Sequence, residues 1–390
     1  DGTYNQQRVL AGSIRPPSGT SSRYTRIVAE HDGSAIVHGQ SLSNAFGYDN
    51  QNNIVSYVEI RGISFRHQSG GSAIYTGVNH LKFIRDGFES DSCDGNCWTF
   101  TMGVLPSKLS NPAGAVTDIL IEESYFWGAG RYKVGGHGIE RVIFRDVVAR
   151  QDVSNAGAEP MAVFSFYAVD YVECQNCIVI DGDKPQFWNA AEYGGGYYIP
   201  STDGPSTNIA IRGSIALNLA MGFGALTKNL NNIIISDSVG WHLREGVYSR
   251  DSASYDHMTF GDLYGPALQT GSVGLSFSFG DDPVNSNTIT NSILYNIKGT
   301  AISNFNSENY NVFFANNLDR SATPTGAQSV NSDPQLKYIL RTSDGSAAIR
   351  GTASDGKDRG ANIIKKIGVS GTLWDESGWN ITTNEDLWPF

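Results

Sequence analysis

A five-residue motif returns nine times along this chain, and its spacing restricts the fold more than any other feature. The motif is an apolar residue, two polar or small residues, a small or apolar residue, and a second apolar residue. It reads Ile60-Arg61-Gly62-Ile63-Ser64 at its first clear occurrence and Ile289-Thr290-Asn291-Ser292-Ile293 at its last. The leading residues are Ile60, Ile84, Ile121, Phe144, Cys174, Ile211, Ile235, Phe260 and Ile289, separated by 24, 37, 23, 30, 37, 24, 25 and 29 residues. The short steps match one coil of three short strands and three turns, and the longer ones carry an insertion at one turn. Leucine-rich repeats have similar periods but need several leucines per unit, which are absent. A propeller blade is longer and antiparallel, with hairpin signals this chain lacks.

One such coil cannot bury its own inner face, so neighbouring coils must stack and pair in parallel. The leading positions form one apolar column. The column four residues on reads Ser64, Phe88, Tyr125, Val148, Ile178, Ile215, Val239, Tyr264 and Ile293, and it too is expected to face inward. The polar pair between the columns belongs at a bend. The expected architecture is all-β: a single-stranded right-handed parallel β-helix, a solenoid of roughly ten or more coils, with long loop insertions. It should occupy residues 1–345. Residues 346–390 lose the repeat, hold Trp374, Trp379 and Trp388, and read as an irregular C-terminal tail packing on the helix.

Composition agrees with this reading. The chain has 44 Gly but only 17% charged residues, which suits short strands joined by turns. The net charge of −11 makes nucleic acid a poor partner, because an acidic surface repels a phosphate backbone. No apolar run is long enough for a transmembrane helix. The ends, Asp1-Gly2-Thr3-Tyr4 and Leu387-Trp388-Pro389-Phe390, read as cut.

The opening Asp1-Gly2-Thr3-Tyr4, Ser18-Gly19-Thr20 and Ile36-Val37-His38-Gly39, with the closing Ser332-Asp333-Pro334-Gln335 and Asp358-Arg359-Gly360-Ala361, resembles the pectin-lyase-like superfamily of right-handed β-helix proteins. The resemblance spans roughly 1–365 and is specific for fold. It implies a secreted or cell-surface protein acting on polysaccharides, as a lyase or a hydrolase, and also covers members without enzyme activity. Lyases of this kind commonly use Ca²⁺ held by acidic residues, with Lys or Arg as base. No complete family catalytic motif is present, so no residue inherits a role.

The residues themselves offer several sites. Arg131, Lys133 and His137 form a basic cluster in an acidic chain, suited to removing the proton beside a uronate carboxylate and stabilising the resulting enolate. Arg150 is a further catalytic candidate. Six and seven residues past the leading positions lie Trp127, Arg150 and Trp241, then Asp181, Asn218 and His242. Stacked in register, they would form a wall where rings meet sugar faces and polar groups meet hydroxyls. Trp127, Asp181, Asn218, Trp241 and His242 are therefore the expected substrate contacts. Asp152, Asp181 and Asp183, with Asp146, could hold Ca²⁺ through hard oxygen ligands, although Asp146 sits at a bend where it could simply cap a turn. Asp152 with Asp181 or Asp183 could equally form the carboxylate pair of an inverting hydrolase. The solvated turn and the exterior ladder are the plain alternatives to these readings.

Cys174 and Cys177 fall in inward columns and read as buried thiols rather than metal ligands. Cys93 and Cys97 read as a local disulfide. The long steps bring in segments 93–113 and 184–208, with Trp98, Phe100, Met102, Trp188, Tyr193, Tyr197 and Tyr198, as a contact surface for glycan or protein. The leading function is a secreted polysaccharide lyase or hydrolase acting on an acidic glycan. A non-catalytic glycan-binding or adhesion module, and an extracellular structural protein that self-associates through its aromatic loops, remain open.

Overall fold

The computed structural model describes residues 2–5, 9–10, 16–39, 45–67, 71–90, 97–151, 162–182, 195–200, 203–225, 230–249, 252–264, 275–276 and 287–388. Their strands form three long sheets, and every pairing within those sheets is parallel. Each sheet takes every third strand of the chain, except that Val330–Asn331 follows the sheet 2 strand Leu318–Ser321 directly into sheet 1. Sheet 1 runs from Gly2–Asn5 to Val330–Asn331, sheet 2 from Val9–Leu10 to Leu318–Ser321, and sheet 3 from Thr25–Val28 to Ser307–Asn309. One coil illustrates the path: Thr117–Glu122 in sheet 3, Tyr125–Gly128 in sheet 1, then Tyr132–His137 in sheet 2. This is the expected right-handed parallel β-helix, with the hand that parallel crossovers take.

The register names the core. In sheet 3 the inward column is Ile27, Ile60, Phe83, Ile121, Phe144, Cys174, Ile211, Ile235, Tyr255, Ile289 and Glu308. Seven of the nine expected leading residues are in it. Ile84 is displaced by its neighbour Phe83. Phe260 belongs to the sheet 1 strand Thr259–Gly261, and Tyr255 holds the column position instead. The second expected column needs a larger correction. Sheet 1 faces inward through Phe65, Phe88, Phe126, Ala149, Val179 and Ala216, with Phe65, Phe88 and Phe126 stacked at 5.1 and 4.9 Å. Ser64, Tyr125, Val148, Ile178, Ile215, Val239 and Ile293 face outward, one residue out of phase.

The C-terminal residues explain why that outer column is apolar. Ile339, Leu340, Ala361, Ile363, Leu387 and Trp388 lie over Ile178, Ile215, Leu217, Val239 and Trp241. Leu336 and Ile349 lie over Ile293, Tyr295 and Val312. The chain then crosses to the outside of sheet 3, where Leu373, Trp374 and Trp379 cover Leu120 and Ile143. A buried ion pair fixes it there. Arg145, 1% exposed, pairs with Glu122 at 3.2 Å, and donates to the carbonyls of Val369 at 2.9 Å and Trp379 at 2.8 Å. Gly368 has φ +82, and a Cβ there would meet the Arg145 guanidinium at 2.3 Å.

The bend between sheets 3 and 1 is equally regular. Its αL position is held by Gly62, Arg85, Glu123, Asp146, Asn176, Gly213, Asp237, His257 and Asn291. The next residue is buried, and at six of these bends a side chain of the following coil caps its amide. Asp86 Oδ1 accepts from Ile63 N–H at 2.8 Å, Ser124 Oγ from Asp86 N–H at 3.1 Å, Ser214 Oγ from Cys177 N–H at 3.2 Å, and Ser238 Oγ from Ser214 N–H at 3.1 Å. Cys174 and Cys177 are free thiols with no exposed surface, as expected. At the far end Glu308 replaces the apolar column residue. It is enclosed by donors from Arg320 at 2.8 Å, Gly326 at 2.6 Å and Asn311 at 2.8 Å, a polar closure of the last coil.

Candidate functional site

The long insertions before Trp98, Ala162, Gly195 and Leu275 each lead from a sheet 1 strand into a sheet 2 strand. The described strands that flank them therefore meet at one corner of the solenoid, between sheets 1 and 2. The aromatic residues assigned to loops by sequence partly belong to the strands themselves. Trp98–Met102 and Gly195–Ile199 are sheet 2 strands, and Phe100, Met102 and Tyr197 point into the core. Trp188 and Tyr193 lie outside the described residues.

The outer face of sheet 2 carries a second aromatic cluster: Tyr132, Tyr167 and Tyr198 with Trp98, Ala162 and Met221. Parallel register brings these together from separate coils. Trp98 pairs with Tyr132 across one ladder and Tyr132 with Ala162 across the next, while His137 pairs with Tyr167. Trp98 stacks on Tyr132 at 4.3 Å. The Tyr132 and Tyr167 hydroxyls are 2.8 Å apart. His137 stacks on Tyr167 at 4.6 Å, and its Nδ1 lies 2.9 Å from Asp203 Oδ2. The Arg131 guanidinium sits 5.6 Å from the Tyr132 ring.

The electrostatics separate the imidazole from the phenols. Burial lowers the His137 pKa and outweighs the opposing effect of Asp203, so the ring is neutral at pH 7. With Nδ1–H donating to Asp203 Oδ2, Nε2 is left as the acceptor. Burial and the hydrogen bond to Tyr132 raise the Tyr167 pKa, so its proton is firmly held. Groups whose pKa values are pushed apart in this way are the recognisable form of a base and an acid sharing one site.

The expected basic cluster is only partly assembled. Arg131 and His137 reach this face. Lys133 does not: it is fully buried, with Nζ donating to the Gly130 carbonyl at 3.1 Å, so it cannot meet a polymer. Its strand register explains this, because it shares a strand with the core residue Val134 and takes the corner position beside it. Arg150 lies on a different face, the exposed outer side of sheet 1, beside Ile180. Trp127 is on that same outer side, stacked on Tyr125 at 4.4 Å.

The expected wall does stack. Asp181, Asn218 and His242 all adopt αL at successive coils, and Asn218 Nδ2 donates to Asp181 Oδ1 at 3.0 Å. His242 Nδ1 lies 2.8 Å from Asp262 Oδ2. Trp241 is partly covered by the C-terminal residues that pack against it. Of the expected Ca²⁺ ligands, Asp152 and Asp183 lie outside the described residues. Cys97 is disulfide-bonded, and Cys93 also lies outside them.

Sequence reasoning missed Tyr132, Tyr167 and Asp203. The signal was available in part: aligning Tyr132–His137 with Ala162–Tyr167 places His137 beside Tyr167. Asp203 sits beyond the strand ends, where no repeat constrains its position.

No protein-family model matches the chain, and no curated protein matches it. Among solved structures it is similar to a polygalacturonase from Erwinia carotovora ssp. carotovora, at 8% identity and a TM-score of 0.39, over 80% of this chain and 98% of that one. Nothing about activity follows from a likeness at that score.

Proposed function

We propose that this protein is a secreted or cell-surface carbohydrate-active enzyme that cleaves an acidic polysaccharide by β-elimination on the outer face of sheet 2. The observation that carries the reading is His137, neutral and oriented by Asp203, in contact with a hydrogen-bonded phenol pair. His137 Nε2 takes the proton from the sugar carbon beside the uronate carboxylate. The bond to the leaving oxygen breaks as the ring double bond forms. The Tyr132–Tyr167 hydroxyl pair returns a proton to that oxygen. Arg131 stands on the same face to neutralise the carboxylate, and Trp98 offers a ring for stacking. The disulfide at Cys97 supports an oxidising compartment. Among the described residues no helix is long and apolar enough to cross a membrane.

Geometry favours elimination over inversion by two carboxylates. Inverting hydrolysis needs carboxyl groups roughly 6.5–9.5 Å apart. Among the described residues of this face the carboxyls nearest His137 are Asp203, in contact with it, then Asp49, three strand steps away, and Glu245, four strand steps away, about 14 and 19 Å at a strand spacing of ~4.8 Å.

The test is incubation with a panel of uronate polysaccharides, reading both new reducing ends and the near-ultraviolet absorbance of unsaturated uronate. Absorbance that disappears in His137→Ala supports the proposal. Reducing ends without absorbance would replace elimination with hydrolysis. Binding without either product would replace the enzyme with a glycan-binding module.

A further inference from the structure

A loop from the preceding coil closes on the backbone at His137. It runs from Gly103 to Val116, between the sheet 2 strand Trp98–Met102 and the sheet 3 strand Thr117–Glu122. Two glycines seat it. Gly103 has φ +72, and a Cβ there would meet the His137 carbonyl oxygen at 2.2 Å. Gly138 has φ +61, and a Cβ there would meet the Val104 carbonyl oxygen at 2.4 Å and Pro106 Cδ at 2.9 Å. A side chain at either position would push the loop away from His137. The far end of the loop is pinned by Gln51, whose Oε1 accepts from Ser110 N–H at 2.8 Å and Asn111 N–H at 2.9 Å. The Gln51 carbonyl accepts from Asn111 Nδ2 at 2.8 Å. Between these anchors lies one tight helical turn, Pro106–Lys108, closed by Lys108 N–H donating to the Leu105 carbonyl at 2.8 Å.

That turn carries a cation, Lys108. It is exposed, and among the described residues none pairs with its ammonium. Asp203 reaches the imidazole from a later coil and takes Nδ1, whereas Lys108 comes from an earlier one. Burial does most to lower the His137 pKa; of the charges that bear on it, Asp203 raises it and Lys108 lowers it. Arg131 reaches the Tyr132 end of the strand Tyr132–His137, and Lys108 stands at the His137 end. The side chains of His137 and Asp203 are 30% and 32% exposed, so a sugar can approach the imidazole from solvent without entering the buried tyrosines.

Resting on the elimination reading above, we propose that Lys108 is the specificity-determining cation of the site, its ammonium binding the carboxylate of the sugar that His137 deprotonates. The chemistry asks for a positive charge there. When Nε2 takes the proton from the carbon beside the carboxylate, the electron pair left behind spreads onto the carboxylate oxygens on its way to the new double bond. A carboxylate that already bears a full negative charge resists this, and an ammonium against it lowers the cost. A methyl ester offers Lys108 no charge to bind, so the site selects the free acid over the ester. The turn is fixed at both ends, so the cation is in place before the sugar arrives.

The experiment has two readouts. The first is the NMR titration of the His137 imidazole, whose signals are identified by their absence in His137→Ala. Lys108→Gln removes a positive charge and should move the midpoint to higher pH, while Lys108→Arg keeps the charge and leaves the midpoint in place. An unmoved midpoint in Lys108→Gln overturns the placement of Lys108 beside His137. The second readout is kcat/KM on pectate and alginate, each as free acid and as methyl ester. Lys108→Gln should lower the value on the free acid about tenfold, the loss of one charge-assisted hydrogen bond. It should lower the value on the ester by less, so that the preference shrinks, and Lys108→Arg should restore most of it. Equal losses on acid and ester, or cleavage that does not depend on Lys108, sink the Lys108 inference alone. Where the wild type binds a free-acid polymer without cleaving it, the elimination reading fails. Calorimetry then judges Lys108 separately: binding about tenfold weaker in Lys108→Gln keeps it as the carboxylate site, and unchanged binding removes it.

Discussion

Replacing Arg145 with Met should release the C-terminal residues from sheet 3 at a cost of about 3–5 kcal/mol. Arg145 and Glu122 are each 1% exposed on their side chains, so removal of the guanidinium strands a buried carboxylate. Glu122 would keep only Ser370 Oγ at 2.9 Å and Gly371 N–H at 2.8 Å as donors. The carbonyls of Val369 and Trp379 would lose the guanidinium, and so would Gln175 Oε1, now 2.7 Å from Arg145 Nε. The Trp374 and Trp379 rings, 4.2 Å apart over Leu120 and Ile143, are built-in reporters of detachment. Urea unfolding followed by tryptophan fluorescence gives the stability change, and limited proteolysis locates it to 365–388. The double variant Glu122→Gln/Arg145→Met divides the cost. It should recover part of the loss, because no unpaired charge remains, while the guanidinium's lost hydrogen bonds to Val369 O, Trp379 O and Gln175 Oε1 keep the rest. A single-variant loss below about 1 kcal/mol, or a double variant no more stable than the single, would refute the assignment of the cost to the stranded carboxylate.

Asp203 raises the His137 pKa, so Asp203→Asn should move the acid limb of the pH–rate profile to lower pH and reduce kcat through loss of ring orientation; an unmoved limb would remove His137 as the base. His257 reports on folding rather than activity. Burial opposes its charged form, but Asp256 at 3.0 Å, with Asp237 and Asp355, wins and raises its pKa. Its contribution is complete below its unfolded value of about 6.5 and fades as pH rises through the higher folded value. Thermal midpoints measured across that window should decline in the wild type and stay flatter in His257→Gln. Burial raises the Cys174 pKa, and neither Cys174 nor Cys177 has exposed surface, so thiol reagents should label them only after unfolding; rapid labelling of native protein would contradict the register.

The column of Ile60, Ile121, Phe144, Cys174, Ile211, Ile235 and Ile289 was legible because its residues recur at coil spacing with a polar bend behind them. It failed where two apolar residues adjoin, as at Phe83-Ile84. It failed again where two neighbouring strands fit the same pattern, as at Tyr255-Asp256-His257-Met258 and Phe260-Gly261-Asp262-Leu263. The outward sheet 1 column was misplaced for a different reason. Period-2 reasoning takes an apolar residue as inward, and here Ile178, Ile215 and Val239 are apolar because distant C-terminal residues cover them. No local pattern carries that information. The same limit separated His137, which was found as part of a basic run, from Tyr167 and Asp203, which join it only through coil stacking and chain return. Lys133 was misread because the run of charges suggested a surface while its strand position set it inside.

The side-chain caps at the bends give the molecule a polarity that its repeat conceals. Ile63 waits for Asp86, Asp86 for Ser124, Cys177 for Ser214, Ser214 for Ser238, Met258 for Ser292 and Ser292 for Asn311. In each case the earlier coil supplies the amide and the later one the acceptor. At these bends assembly is thus a queue in which a coil is completed by its successor. A chain growing from its amino end carries such a bend unfinished until the next coil forms, and the last of them closes where Asn311 N–H meets Ser329 Oγ at 3.0 Å and that hydroxyl donates to Glu308. Cutting coils from the front leaves the remaining caps intact, whereas cutting from the back exposes an amide at the new end.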